Sequence, residues 1–232
     1  MNQTNVFIIS APSGSGKTTL IDRLRQAVPD LVFSVSYTTR EPRGQEQNGR
    51  EYYFVRREEF ERMVERDEML EWAEVYGGYL YGTPRRFLDE AAQLGWDLLL
   101  DIDVLGHEQV KKLFGERSVS VFIAPPSRPE LEKRLRQRGL DSDPMIERRL
   151  ARAAREIRDY WKYDYAVIND DREQASERLN SIVLAERWRR RTGAGGQGPG
   201  DGTQAARWLE IAGACRQDVV RSEVEPILRT FG

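Results

Sequence analysis

Cysteine and histidine are almost absent from this chain of 232 residues, which has one of each. Because Cys215 is the single cysteine, no disulfide can form within the chain, and a reducing cytoplasm fits this composition. With His107 as the only histidine, a zinc site of cysteines and histidines is excluded and a Ser-His-Asp triad is disfavoured. Any catalysis must therefore rest on other residue types.

An excess of one charge and long apolar runs are also lacking. The 36 basic and 38 acidic residues leave a net charge of -2, so the composition does not favour nucleic-acid binding. No apolar stretch is long enough to span a bilayer, and the polar residues 2–5 do not form a targeting signal. We expect one main cytoplasmic domain with a short appendage.

The most informative segment is glycine-rich and precedes a helical pattern. It reads Ala11-Pro12-Ser13-Gly14-Ser15-Gly16-Lys17-Thr18-Thr19 and follows a short strand expected at 6–9. It matches G-x-x-x-x-G-K-[ST], except that Ala11 stands at the first glycine position. Such a loop offers backbone N–H groups, the start of a helix and the cation of Lys17 to phosphates, and the Thr18 hydroxyl to Mg²⁺. The segment therefore predicts a site for a polyphosphate nucleotide. The alternative is a solvent-exposed turn.

Two carboxylates follow the apolar run Leu98-Leu99-Leu100. The period of a strand places Asp101 and Asp103 on one side. Because ligands of open α/β sheets collect at the carboxyl ends of the strands, both acids are expected in the crevice where the phosphate loop lies. The alternative is that they only form a turn.

Arginines form a third group, because guanidinium groups bind phosphate oxygens in a bidentate manner. The candidates are Arg40, Arg43, Arg134, Arg138 and Arg149. On a chain this highly charged, solvated surface arginines are an equal alternative.

Strand and helix patterns alternate along the chain. They predict an α/β fold, a parallel sheet flanked by helices with a small mixed insert. One strand is expected over 33–38, a buried central strand over 96–102, and helices over 85–94, 130–137 and 146–160. Glycine-rich residues 192–204 predict a flexible linker, and an amphipathic helix is expected from Ala205 toward Pro226. The extension 205–232 docks on its own core, binds a second copy or a partner, or stays unfolded.

Several segments, in order along residues 4–190, resemble the guanylate kinase family. They are the phosphate loop, Ser34-Val35-Ser36-Tyr37-Thr38-Thr39-Arg40-Glu41-Pro42-Arg43, Asn48-Gly49-Arg50-Glu51-Tyr52-Tyr53-Phe54, Glu71-Trp72-Ala73-Glu74, Tyr81-Gly82-Thr83, Leu100-Asp101-Ile102-Asp103 and Ile168-Asn169-Asp170-Asp171. The resemblance implies a P-loop nucleoside monophosphate kinase fold in a domain 1–191. It also implies a GMP-binding insert near 36–83 and a helical lid near 139–149.

The resemblance also implies a role for each matching residue. For GMP, the phosphate-binding residues are Arg40, Arg43, Tyr52 and Tyr81, and the guanine-binding residues are Ser36, Glu71, Thr83 and Asp103. The residues that the resemblance assigns to ATP binding are Ser13, Gly14, Ser15, Gly16, Lys17, Thr18, Thr19 and Arg134. The catalytic set is Lys17, Arg40, Arg138, Arg149 and Asp101, and Mg²⁺ is held by Thr18 and, through water, by Asp101.

These roles make chemical sense. A carboxylate at Glu71 can accept the N1–H and N2–H₂ donors of guanine, whereas adenine has no donor at N1. A dianionic phosphate needs no histidine base, so alignment and charge neutralisation suffice. The sequence departs from the family pattern at two places. The turn Gly77 to Gly82 has one extra residue, and there we prefer Tyr81 over Tyr79 as the residue that matches the family's phosphate-binding tyrosine. Leu105 stands where glutamine is usual.

Two other functions remain as alternatives. One is a non-catalytic module that holds an acidic peptide in the GMP pocket, although such a module has no use for the ATP loop. The other is a kinase for a different nucleoside monophosphate, which would not need an acid at Glu71.

Overall fold

The protein forms two compact units of alternating strands and helices. The structure, a computed structural model, describes residues 4–75, 78–139, 141–192 and 202–232. Its strands are β1 (Val6–Ser10), β2 (Leu31–Ser34), β3 (Tyr37–Thr38), β4 (Tyr53–Phe54), β5 (Met69–Val75), β6 (Tyr79–Pro84), β7 (Asp97–Asp101), β8 (Ser118–Ala124) and β9 (Tyr165–Ile168). Its helices are α1 (Lys17–Ala27), α2 (Arg57–Glu65), α3 (Arg86–Leu94), α4 (Val104–Phe114), α5 (Arg128–Gln137), α6 (Asp143–Arg158), α7 (Arg172–Thr192), α8 (Gly202–Ala214) and α9 (Arg221–Arg229).

The first unit comprises Met1–Ile9 and Asp30–Val119. It contains the parallel strands β2, β7 and β1 in that order, and the predicted central strand is β7, whose three leucines are fully buried. The mixed insert is a second sheet in the order β4, β3, β6, β5, in which β6 runs antiparallel to both of its neighbours. Phe60 of α2, Met69 and Leu80 form the core of this insert.

The strand expected over 33–38 is wrong as a single element. The structure divides it into β2, which pairs with β7, and β3, which pairs with β4 and β6 in the other sheet. Side-chain burial nevertheless alternates without a break from Leu31 to Thr38. Because the alternation continues through Val35 and Ser36, the sequence carries no sign of the change of sheet.

The second unit comprises Ser10–Pro29 and Ser120–Gly232. The strands β8 and β9 are parallel, and Val121 pairs with Tyr165. Helix α1 packs against α7, and α5 packs against α6. Ser127 caps α5, since its hydroxyl accepts a hydrogen bond from the Glu130 amide at 3.3 Å.

The C-terminal extension folds back onto the second unit as two helices rather than one. Helix α8 packs on α7, and α9 packs on α6. Between them, Arg216 forms an antiparallel bridge with Tyr165 of β9, and the Cys215 carbonyl accepts a hydrogen bond from the Ala166 amide at 2.8 Å. This pairing requires extended backbone, so the expected single helix is interrupted there.

Parts of three predicted segments lie outside the described residues: 193–201 of the linker, Gly77 of the turn and Leu140 of the lid. Among the helices that the structure does describe, none combines the length and the apolar character needed to cross a membrane.

Candidate active site

The phosphate loop lies between β1 and α1 and is shaped by two glycines. Gly14 and Gly16 have φ angles of 96° and 89°, in the left-handed region that favours glycine. A Cβ on Gly14 would lie 2.9 Å from Cδ1 of Leu131, and one on Gly16 would lie 2.3 Å from Nδ2 of Asn169. Both positions therefore require glycine for conformation and for space. The Ser15 amide donates to the Pro12 carbonyl at 3.1 Å and closes the turn.

Two arginines of the second unit contact this loop. Arg134, on α5, donates from Nη2 to the Asn169 carbonyl at 3.0 Å and from Nη1 to the Ser15 carbonyl at 3.4 Å. Arg149, on α6, donates from Nη1 to the Ser13 hydroxyl at 2.7 Å. Together they bring cationic charge to the loop, where an anionic ligand would gain most from it.

Carboxylates hold both of these arginines in place. Nε of Arg134 lies 3.0 Å from Oε1 of Glu130. The Arg149 guanidinium pairs with both oxygens of Asp141, since Nη2 and Nε each lie 3.1 Å from an oxygen. A planar guanidinium held on one edge keeps its remaining donors directed. Arg138, by contrast, is exposed at the C-terminal cap of α5.

In the first unit, Arg40 is the centre of a buried cluster and is only 6% exposed. Its Nε donates to the Tyr81 hydroxyl at 3.0 Å, and its two terminal nitrogens reach the oxygens of Glu46 at 2.9 and 3.0 Å. The guanidinium carbon lies 5.5 Å from the centroid of the Tyr52 ring, and the Tyr52 and Tyr81 rings meet edge to face at 5.7 Å. The structure thus brings together three of the four residues predicted for the GMP phosphate. The fourth, Arg43, is exposed.

Burial sets the protonation of this cluster. It raises the pKa of Tyr52 well above its usual range, and the charge of Asp101 adds to the effect. Burial alone would also raise the pKa of Glu46, but hydrogen bonds from Arg40 and from the Arg43 amide lower it below its usual range. Glu46 therefore stays an anion that fixes the orientation of Arg40, and Tyr52 stays a neutral hydrogen-bond donor.

A second polar cluster surrounds Glu71, which is 6% exposed. Glu71 on β5 pairs with Thr83 on β6, whose hydroxyl donates to Oε1 of Glu71 at 2.6 Å. Burial raises the pKa of Glu71 to about 7; the hydrogen bond from Thr83 opposes this rise and the charge of Asp103 adds to it. The second oxygen, Oε2, lies against Gly106, where a Cβ would be only 2.5 Å away.

Asp103 caps a helix in addition to its predicted role in binding guanine. One of its oxygens accepts from the amides of Leu105 and Gly106, each at 3.0 Å, and so caps α4. Because the backbone of Leu105 makes this contact while its side chain is 47% exposed, leucine in place of glutamine leaves the cap intact. Ser36 is buried, and Asp101 ends β7.

Comparison with known proteins identifies the family. The model of the family described as "Guanylate kinase" matches residues 3–186. The chain belongs to the guanylate kinase family. It is 49% identical to a guanylate kinase of Koribacter versatilis over 97% of this chain and 95% of that one, and 50% identical to one of Geobacter metallireducens over 79% and 90%. The crystal structure of guanylate kinase from Anaplasma phagocytophilum superposes with a TM-score of 0.65 and 37% identity, over 80% of this chain and 87% of that one.

The lengths of these matches bear on the extension. The Koribacter guanylate kinase aligns over 97% of the chain and so reaches into residues 205–232, whereas the Geobacter one covers 79%. Most of the extension therefore lies within the alignment to the Koribacter guanylate kinase.

Four residues of the candidate site had no role assigned from the sequence. Asn169 donates from Nδ2 to the Ser15 carbonyl at 2.7 Å and supports the loop, while Glu46 and Asp141 hold arginines. Gly106 makes room for Glu71. Only Asn169 had a sequence signal, because it stands in a polar group directly after an apolar strand.

Proposed function

We propose that this protein transfers the γ-phosphate of ATP to GMP, giving ADP and GDP, as a step of purine nucleotide metabolism in the cytoplasm. The observation that carries the choice of GMP is the buried carboxylate of Glu71, held by Thr83 at 2.6 Å. A buried acceptor of this kind matches the adjacent donors of guanine and would be left unsatisfied by adenine. Asp103 and Ser36 complete the guanine site in this proposal.

The GMP phosphate binds at the Arg40 cluster. Arg40 and Tyr81 present donors that their partners already orient, so little conformational freedom is lost when the phosphate binds. Tyr52 adds a neutral hydroxyl, and Arg43 adds charge from an exposed position. A phosphate held here keeps one oxygen available as the nucleophile, and as a dianion it attacks without a protein base.

The ATP phosphates bind at the loop Ser13, Gly14, Ser15, Gly16, Lys17, Thr18 and Thr19. Lys17, Arg134 and Arg149 neutralise the charge of the transferring group. Arg138 joins them from its exposed position at the end of α5, directly before the lid at 139–149. Loop contacts to Arg134 and Arg149 support this assignment.

The phosphate loop offers an oxygen ligand of the kind that Mg²⁺ prefers, because the exposed residue Thr18 carries a hydroxyl in the first turn of α1. Within the described residues, no group of three or more acidic, histidine or cysteine side chains could hold a metal alone. This agrees with an ion that is bound mainly by nucleotide phosphates and water. When bound, Mg²⁺ neutralises charge on the phosphates; Thr18 would hold it, with Asp101 acting through water.

A coupled assay of ADP formation with AMP, GMP, CMP, UMP and dTMP, with and without Mg²⁺, tests the proposal. We expect GMP to be the preferred acceptor and turnover to require Mg²⁺. Equal activity with AMP would contradict the guanine site. Binding of GMP or of an acidic peptide without any turnover would instead support a non-catalytic module. Self-association through the extension is a separate prediction, which light scattering tests.

A further inference from the structure

The extension is fastened to the two helices that carry the loop-binding arginines. Helix α9 packs on α6 and buries Val224 and Ile227, which are 0% and 5% exposed. Its outward residues Arg221 and Glu225 form an ion pair at 2.7 Å along the exposed face. The buried apolar face therefore belongs to an intramolecular contact.

The last residues form one hydrogen bond with α5, one with α6 and one within the extension. The hydroxyl of Thr230 accepts from the Arg128 amide at 2.9 Å, at the first residue of α5, and donates to the Ile227 carbonyl at 2.6 Å. The Gly232 carbonyl accepts from Nη2 of Arg158 at 3.0 Å, at the last residue of α6. The first amides of a helix have no partner inside the helix, so Thr230 supplies α5 with one that it lacks.

These contacts lie at the far ends of the same two helices. Arg128 precedes Arg134 by six residues, about 9 Å along α5, and Arg158 follows Arg149 by nine residues, about 14 Å along α6. A further ion pair, between Arg128 and Glu147 at 3.1 Å, joins α5 to α6. Helices transmit a shift along their length because their backbone hydrogen bonds resist bending.

We propose that the C-terminal extension is a positioning element for phosphoryl transfer: through α9 and Thr230 it fixes α5 and α6, and thereby the place of Arg134 and Arg149 at the phosphate loop. The proposal rests on the proposed function. Thr230 and Ile227 are positioning residues, since neither lies at the loop. The GMP residues belong to the other unit, so loosening the extension affects transfer and leaves GMP binding unchanged.

The test uses full-length chains with Thr230→Val, which removes the hydroxyl at nearly constant volume, and Ile227→Ala, which loosens the packing of α9. Thr230→Ser restores the hydroxyl, and Ser222→Ala removes an exposed hydroxyl from the same helix as a control. For Thr230→Val and Ile227→Ala, we expect kcat per folded molecule to fall about threefold to about tenfold. The KM for GMP should stay within about twofold, and amide exchange across 143–158 should accelerate. Thr230→Ser and Ser222→Ala should behave as the unsubstituted chain.

A purely structural role would lower the melting temperature without moving kcat per folded molecule. The proposal is overturned if kcat holds in both loosened variants, if exchange across 143–158 is unchanged, or if Thr230→Ser is as impaired as Thr230→Val. If the unsubstituted chain forms no ADP with GMP, the proposed function fails instead. In that case the exchange experiment alone decides whether the extension fixes α6.

Discussion

Replacing Gly106 with alanine should damage the proposed guanine site while leaving the fold intact. In α4 an added Cβ would lie 2.5 Å from Oε2 and 2.9 Å from Cδ of Glu71. An ordinary contact between such atoms needs about 3.4 Å or more, so the carboxylate must retreat by about 1 Å. This movement strains or breaks the 2.6 Å hydrogen bond from Thr83.

The size of the effect follows from opposing terms. Overfilling a packed site costs about 1–3 kcal/mol, while alanine gains at most about 1 kcal/mol over glycine in helix propensity. The global free energy of unfolding should therefore fall by no more than about 3 kcal/mol. The catalytic effect is larger, because a displacement of about 1 Å in a binding group can cost up to about a hundredfold in rate. We expect kcat/KM for GMP to fall about tenfold to about a hundredfold.

The assay is kcat/KM for GMP together with thermal unfolding. Gly213→Ala is the matched control, since Gly213 is also helical and a Cβ there has open space. It should keep its activity and gain a little stability. If Gly106→Ala keeps kcat/KM for GMP within about twofold while remaining folded, the carboxylate of Glu71 does not read guanine from the position that the structure gives it.

The further predictions concern three single side chains, those of Glu71, Lys17 and Cys215. Burial raises the pKa of Glu71 in the folded protein from 4.5 to about 7. Between these pH values the folded state binds a proton that the unfolded state does not, so the free energy of unfolding should fall as the pH rises from 4.5 to about 7. Urea titrations should show that Glu71→Gln removes this pH dependence of the free energy of unfolding. The same protonation should weaken GMP binding below about pH 7, and a KM for GMP with the same pH profile in Glu71→Gln would show that only the nucleotide titrates. Lys17→Ala should collapse kcat while the GMP affinity measured without ATP changes by at most a few-fold, and a large loss of that affinity would mean that the two sites are misassigned. Burial raises the pKa of Cys215 to about 11, so a thiol-alkylating reagent near neutral pH should label the native chain far more slowly than the unfolded one, and equal rates would mean that the extension does not dock.

The sequence was sufficient where the signal is local. The phosphate loop is recognisable because seven adjacent residues carry it, and β7 because an apolar run ends in acids. The helix expected over 85–94 differs from α3 by one residue, because Gly95, with a φ of 68°, ends the helix. In each case the determinants lie within a few residues of each other.

The remainder depends on contacts between distant residues. The Asn169 side chain reaches the Ser15 carbonyl across 154 positions, and no local pattern announces such a pairing. The composition of the segment around Glu46 predicts an exposed polar loop. Glu46 nevertheless accepts hydrogen bonds from both terminal nitrogens of the Arg40 guanidinium. The interruption of the extension at Arg216 depends on the free edge of β9, which becomes evident only in the folded unit.

The glycines of the site show how these two kinds of information combine. The sequence explains Gly14 and Gly16 by the turn that they allow, but the structure adds that Leu131 and Asn169 fill the space where a Cβ would project. Gly106 has no positive φ and is needed only because Glu71 lies against it. Backbone freedom and side-chain volume are therefore separate requirements that can produce the same residue. Where only volume decides, the partner must be known before the glycine can be understood, and for Gly106 that partner is Glu71, the residue that we propose to select guanine.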